Sequence, residues 1–220
     1  MHYPIPGAGL NAGINTIFCI GRNYAEHAAE LKNEIPDEPV VFTKPRSSII
    51  YSGSEIVIPP HTSDVHHEVE IVVAIGKTLR RAQNDEARKA ISAIGVGLDI
   101  TARDIQQRLK EKGLPWDLAK GLDTFTVIGS FYPVTDVANL TGIPLQLTVN
   151  GTLRQQSNAA MMLFPIVDLV SFLSFHFTLS PGDLIFTGTP KGVARIQPGD
   201  WLIGEIPGTS ALVTAGVRQA

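Results

Sequence analysis

Proline and glycine recur through this chain so often that no secondary-structure element has room to grow long. Fifteen prolines and 20 glycines are spread along 220 residues, and their clusters close off short apolar runs. Those runs are rich in Val, Ile, Phe and Thr, whose branched or aromatic side chains suit a pleated sheet. Residues 16–20, 40–43, 55–58, 66–76, 94–99, 125–128, 145–149, 184–187, 201–206 and 211–217 read as strands. Asn150-Gly151, between residues 147–149 and 152–154, predicts a two-residue hairpin turn. Helical spacing or helix-forming composition is confined to residues 25–31, 84–93, 101–112 and 164–177. Thr101 to Asp104 look like a capping box opening the third of these. Residues 47–53 and 114–123 read as irregular. The pattern predicts a β-rich α+β domain with a few short helices. It alternates too irregularly for a doubly wound parallel sheet, and Gly95-Val96-Gly97 lacks the third glycine of a dinucleotide loop.

The length suits one domain, with residues 1–13 as an extended N-terminal arm and 14–220 as the domain itself. A net charge of −3 argues against a nucleic-acid partner or a polybasic membrane surface. Arg80-Arg81 and the basic residues from Arg103 to Lys112 read as solvated positions. Cys19 is the only cysteine, so no intrachain disulfide can form, and its apolar neighbours mark it as a core residue. With no basic-then-apolar start and no apolar run of membrane length, a cytoplasmic protein is expected.

Within residues 66–76, Glu68 and Glu70 are two apart and would project from one face of a strand. Carboxylates that close repel unless something positive lies between them, and a hard divalent cation with oxygen ligands would resolve the conflict. Asp99, at the end of another apolar strand, could supply a third ligand. The same glutamates would also suit the solvated face of an edge strand, and the local pattern does not choose. A zinc site at His66 and His67 is rejected, because neighbours on a strand point to opposite faces and no cysteine cluster accompanies them. His176, at the end of an apolar helix, reads as structural.

Gly21-Arg22-Asn23-Tyr24 with His27, Phe42-Thr43-Lys44-Pro45, His67-Glu68-Val69-Glu70, Gly97-Leu98-Asp99, Ala102-Arg103-Asp104, Trp116, Ala119-Lys120 and Gly188-Thr189-Pro190 together resemble the fumarylacetoacetate hydrolase superfamily. The matches fall in family order from Gly21 to Val193, and the chain is most similar to the short single-domain members. That resemblance implies a mixed β-sandwich roll with Mg2+ (or Mn2+, or Ca2+ in a crystal) held by Glu68, Glu70 and Asp99. It implies a base dyad of His27 and Glu30 on a mobile lid, and a cationic Lys120 beside the metal. Arg22, Lys44, Gln106 and Thr189 would bind the substrate. The metal reading requires Asp99 to face the two glutamates, with no lysine ammonium filling the gap between them.

The activity so implied is hydrolytic C–C cleavage of an acylpyruvate such as acetylpyruvate or fumarylpyruvate, through a metal-stabilised pyruvate enolate. Rivals are decarboxylation or keto–enol tautomerisation of oxaloacetate, isomerisation of a 2-hydroxyhepta-2,4-diene-1,7-dioate, and a metal-stabilised binding module without chemistry. The expected partners are a small 2-oxo or diketo acid and a second copy of the chain in a homodimer.

Overall fold

The structure is a computed structural model that describes residues 3–30, 34–134 and 140–220. Residues 1 and 2 of the expected arm, and Leu31 of the expected first helix, lie outside them. In chain order the elements are β1 (Ile17–Gly21), α1 (Ala25–Glu30), β2 (Val40–Lys44), β3 (Ile49–Tyr51), β4 (Ser54–Ile58), β5 (Val65–His66) and β6 (Val69–Ile75). Next come α2 (Asn84–Ala90), β7 (Ile91–Asp99), β8 (Thr101–Ala102), α3 (Arg103–Glu111), α4 (Asp117–Lys120) and β9 (Thr126–Pro133). The chain ends with β10 (Pro144–Val149), β11 (Thr152–Asn158), α5 (Ile166–His176), β12 (Leu184–Phe186), β13 (Trp201–Glu205) and β14 (Leu212–Gln219).

Seven strands form a mixed sheet in the order β2-β1-β12-β6-β7-β9-β3, and five form a second, β11-β10-β13-β14-β4. β5 and β8 make a small ribbon. Alternation along β6 sorts its side chains onto two faces. Ile71, Val73 and Ile75 enter a large core with Leu145, Leu147, Leu202 and Val213 of the second sheet. Val72 and Ala74 join Cys19, Ile128 and Phe186 in a smaller core on the opposite face. Each such side chain removed from water contributes about 1.5–3 kcal/mol. Ile5 and Ala8 of the arm cover the smaller core, and Phe131 N–H donates to Pro6 O at 2.8 Å to fix the arm there. Leu169, Val170 and Leu173 of α5 and Ala87 and Ala90 of α2 extend the large core. This is the β-rich sandwich roll that the sequence predicts. Among the described residues no helix is long and apolar enough to cross a membrane.

Several elements differ from expectation. The run at residues 66–76 is broken: β5 ends at His66, and β6 starts at Val69 after Glu68. Ile49–Tyr51, read as loop, is a strand because it pairs in parallel with Thr126 to Ile128, a distant partner that local composition conceals. α2 stops at Ala90, where Ile91 takes up pairing with Ile75. The capping box is not formed. α3 has Ala102 at its N-cap without a side-chain bond, and Asp104 instead accepts from Thr62 Oγ1 at 2.6 Å and Ser63 N at 3.1 Å. The stretch read as irregular after Leu114 contains α4, which carries Lys120. The hairpin is as predicted, with Asn150 and Gly151 at φ 51° and 75°.

Candidate active site

Antiparallel pairing of β6 with β7 sets Glu70 opposite Gly97. One step further out, Asp99 N–H donates to Glu68 O at 2.9 Å. Three acids therefore converge at one end of the seven-stranded sheet. Glu68, Glu70 and Asp99 each offer an oxygen within 4.8 Å of the others, the one such group among the described residues. They are 4, 2 and 1 % exposed, which excludes the solvated-edge reading. Gly97 keeps β7 close to its neighbours, since a Cβ there would stand 2.7 Å from Phe186 Cε1.

Cations of the chain surround two of the acids. Lys120 Nζ donates to Glu68 Oε2 at 2.8 Å and to Asp99 Oδ2 at 2.6 Å. Arg103 Nη2 donates to Glu68 Oε1 and Nη1 to Gln106 Oε1, the latter at 2.7 Å. Lys44 Nζ donates to Asp99 Oδ1, to Phe125 O at 2.7 Å and to Ile100 O at 3.2 Å. Burial raises the Glu68 pKa, but Lys120 and Arg103 outweigh it and hold the carboxyl well below its ordinary range. Burial likewise disfavours charge on Lys120, yet Asp99 and Glu68 push its pKa above the ordinary lysine value. Glu70 is different. Its Oε2 accepts from Gly188 N at 2.7 Å, and no described cation bonds it. Burial first, then the charges of Asp99 and Glu68, push its pKa well above the carboxylate range. Gly188 presents that N–H from φ +99°, and a Cβ there would meet Asn23 Cβ at 2.8 Å, so a side chain is excluded.

Two expectations need correcting here. Lys44 does not face the cleft as a substrate cation: its three hydrogen bonds use all three ammonium protons, and its work is to hold Asp99. The space among the acids is not free of lysine either, because the Lys120 ammonium bridges Glu68 and Asp99. What it leaves uncompensated is Glu70. An oxygen-only donor set in which one carboxyl has no cation bonded to it fits a hard divalent cation.

The triad opens into a cleft whose walls include Ile20, Arg22, Phe42, Gln106, Trp116 and Thr189. His27 lines it from α1, with Nδ1 3.3 Å from Glu30 Oε2. Burial is the main cause of a lowered His27 pKa, so its imidazole is neutral at neutral pH. Glu30 in turn accepts from Gly192 N at 3.1 Å, which ties α1 to the loop after β12. The Thr189 hydroxyl donates to Val69 O and accepts from Gln155 Nε2, both at 2.8 Å. Its proton is thus committed to the protein rather than offered to a ligand.

Arg103 and Gln155 are site-building residues to which the sequence reading gave no role at the site. Arg103, taken there as solvated, stands four residues after Asp99, a spacing that could have marked it. Gln155 Oε1 accepts from His67 Nδ1 at 2.9 Å and from Val69 N at 3.1 Å, while its Nε2 also reaches Pro190 O at 2.8 Å. It joins the start of β6 to the Thr189 loop, and no local signal in β11 points to it. His66 pairs with Asp64 at 2.9 Å and His176 Nδ1 lies 3.0 Å from Phe172 O; the carboxylate triad contains neither.

Two glutamates and an aspartate at the end of a mixed sandwich, beside a neutral His27 hydrogen-bonded to Glu30, are the donor set of a carboxylate metal site with a candidate base next to it. Residues 16–215 match the family model for the fumarylacetoacetate (FAA) hydrolase C-terminal region, and the chain belongs to that family of metal-dependent enzymes. It is 42% identical over 213 residues to oxaloacetate tautomerase YcgM of Escherichia coli, covering 95% of this chain and 96% of that one. It is 44% identical to the mitochondrial oxaloacetate decarboxylase of Dictyostelium discoideum over 83% of this chain and 84% of the relative. Fumarylpyruvate hydrolase from Pseudomonas aeruginosa, solved with Mn2+ and pyruvate, superposes with a TM-score of 0.92 at 34% identity, covering 100% of this chain and 97% of that one.

Proposed function

We propose that this chain stabilises the enolate of a 2-oxo acid and that oxaloacetate, undergoing keto–enol exchange or decarboxylation, is its substrate. The observation that carries the reading is the buried triad with Glu70 uncompensated. The oxaloacetate-acting relatives favour that substrate over the acylpyruvates first expected. Glu68, Glu70 and Asp99 would hold a divalent cation, Mg2+ or Mn2+, whose charge stabilises the enolate oxygen of a bound 2-oxo acid. Lys120 keeps its proton beside the same carboxylates and adds positive charge where negative charge develops. In keto–enol exchange neutral His27, oriented by Glu30, takes the proton that leaves C3 of oxaloacetate and returns it to the enolate oxygen. In decarboxylation the C3–C4 bond breaks instead, its electron pair forms the enolate, CO2 leaves and C3 takes a proton from water.

Hydrolysis of an acylpyruvate is the second reading. The same imidazole could activate a water against the distal carbonyl, and the likeness to fumarylpyruvate hydrolase supports it. A turnover panel with Mg2+ on oxaloacetate, fumarylpyruvate and acetylpyruvate, followed as enol loss, decarboxylation and C–C cleavage, separates these. Oxaloacetate should turn over fastest; rates equal to metal ion alone on every substrate would end the reading. His27→Ala should lower the enzymatic rate by about 100-fold or more, the usual scale of general-base catalysis.

A further inference from the structure

The helix that carries His27 is too short to hold itself in place. α1 has six residues, Ala25–Glu30, and a helix of that length is marginal in water, so its anchors set its position. It is tied down at both ends. At the far end Glu30 accepts from Gly192 N at 3.1 Å. At the near end stands Asn23, fully buried. Its Nδ2 donates to Thr187 O at 2.8 Å and to Phe164 O at 3.1 Å, and its Oδ1 accepts from Phe164 N at 2.8 Å. Leu163 N–H donates to Asn23 O at 2.8 Å, and Ala28 N–H donates to Tyr24 O at 3.0 Å. Arg22, at φ 58°, turns the chain out of β1 just ahead of it.

Both anchors lead to one stretch of chain, residues 187–192. The same stretch presents Gly188 N–H to Glu70 Oε2 and the Thr189 hydroxyl to Val69 O. Gly188 lies so close to Asn23 that a Cβ on it would meet Asn23 Cβ at 2.8 Å. One side-chain amide therefore ties the turn before His27 to the segment that bonds Glu70, and both to the chain entering α5.

We propose that Asn23 is a positioning residue for the reaction: its amide fixes α1, and with it the His27 imidazole, against the Thr187–Gly188 segment that bonds Glu70. The inference rests on the reading of His27 as the base and adds the residue that sets its place relative to the triad. An amide suits the task because it carries two N–H donors and an acceptor in one rigid plane. Aspartate would keep the shape and the acceptor, but it would lose both donors and turn a negative charge toward Thr187 O and Phe164 O. Proton transfer needs the imidazole within hydrogen-bond reach of the proton it takes. A small drift of α1 lowers the rate of that step without touching the carboxylate ligands.

The test compares wild type with Asn23→Ala and Asn23→Asp. In keto–enol exchange of oxaloacetate with Mg2+, kcat should fall about tenfold or more while KM changes by less than about threefold, the pattern of an interaction needed only in the transition state. Calorimetry should give a Mn2+ affinity within about threefold of wild type. Amide hydrogen exchange on the metal-free protein should show Ala28 losing protection in both variants, with the amides of β6 unchanged. Wild-type kcat in both variants, or loss of Mn2+ affinity equal to the loss of kcat, would overturn the role. If neither variant folds, exchange in wild type decides. The amides of Ala28 and Phe164 should open together, and a protection factor for Ala28 more than about 100-fold below that of Phe164 would refute the clamp. If wild type turns oxaloacetate over no faster than free metal ion does, the functional reading fails, while the same exchange comparison still supports or refutes the clamp.

Discussion

A single lysine shows how residue type alone misleads. Lys44 is 3% exposed and spends every ammonium proton on Asp99, Phe125 O and Ile100 O. Asp99 would keep Lys120 once Lys44 is removed, so the loss is that of Lys44's own buried hydrogen bonds, about 1–3 kcal/mol. Lys44→Met should therefore lose that much stability in urea unfolding and weaken divalent-ion binding; a loss under about 1 kcal/mol would contradict its role. His27 sets a pH expectation. Its pKa lies below the ordinary value of 6.5, chiefly because it is buried. It stays deprotonated as pH falls past 6.5, and base function is lost only below that. The acid limb of kcat/KM for the base-dependent reaction should accordingly lie below pH 6.5; a limb above it would point to another group. Glu68, Glu70 and Asp99 stood out as acids in or beside apolar strands, but the local pattern left a solvated edge equally open. It was the family resemblance that pointed to a metal set. Arg103 was not legible, since a cation on a polar helix looks the same whether it faces water or Glu68. Gln155 was hidden for a similar reason: an amide in a polar strand does not announce that its four bonds join three segments.

At the scale of elements, glycines in β7 explain how acids can be packed so tightly. Gly95 and Gly97 form no cofactor loop. A Cβ on Gly95 would stand 2.5 Å from Phe131 Cγ, and one on Gly97 2.7 Å from Phe186 Cε1. Gly97→Ala must displace Phe186 or the strand that delivers Asp99 two residues later. It should cost about 1–3 kcal/mol in thermal or urea unfolding and reduce metal-dependent turnover along with it; an unchanged melting temperature with full activity would show that the strand has slack. Most strands and the Asn150-Gly151 hairpin were readable, because alternation and turn chemistry are local. What escaped was set by distant partners. β3 exists through its pairing with β9, α2 ends where Ile91 meets Ile75, and residues 66–76 split because β5 leaves for the ribbon with β8.

Taken whole, the molecule uses two packed sheets to bury three carboxylates that would not otherwise stay together. Lys44, Lys120 and Arg103 answer Asp99 and Glu68, and Glu70 is left over. The family and the sandwich were legible because the motifs occur in order along the chain. The lysine bridge between Glu68 and Asp99 was not, because α4 is a four-residue helix inside a stretch that reads as loop. The sharpest check is calorimetric titration of Mn2+ into the metal-stripped chain, with Glu70→Gln beside wild type. One ion should bind per chain in wild type, and binding should weaken at least about 100-fold in Glu70→Gln, as loss of a charged ligand requires. No binding by wild type, with the Lys120 ammonium left as the site's resident cation, would contradict the metal-centred account.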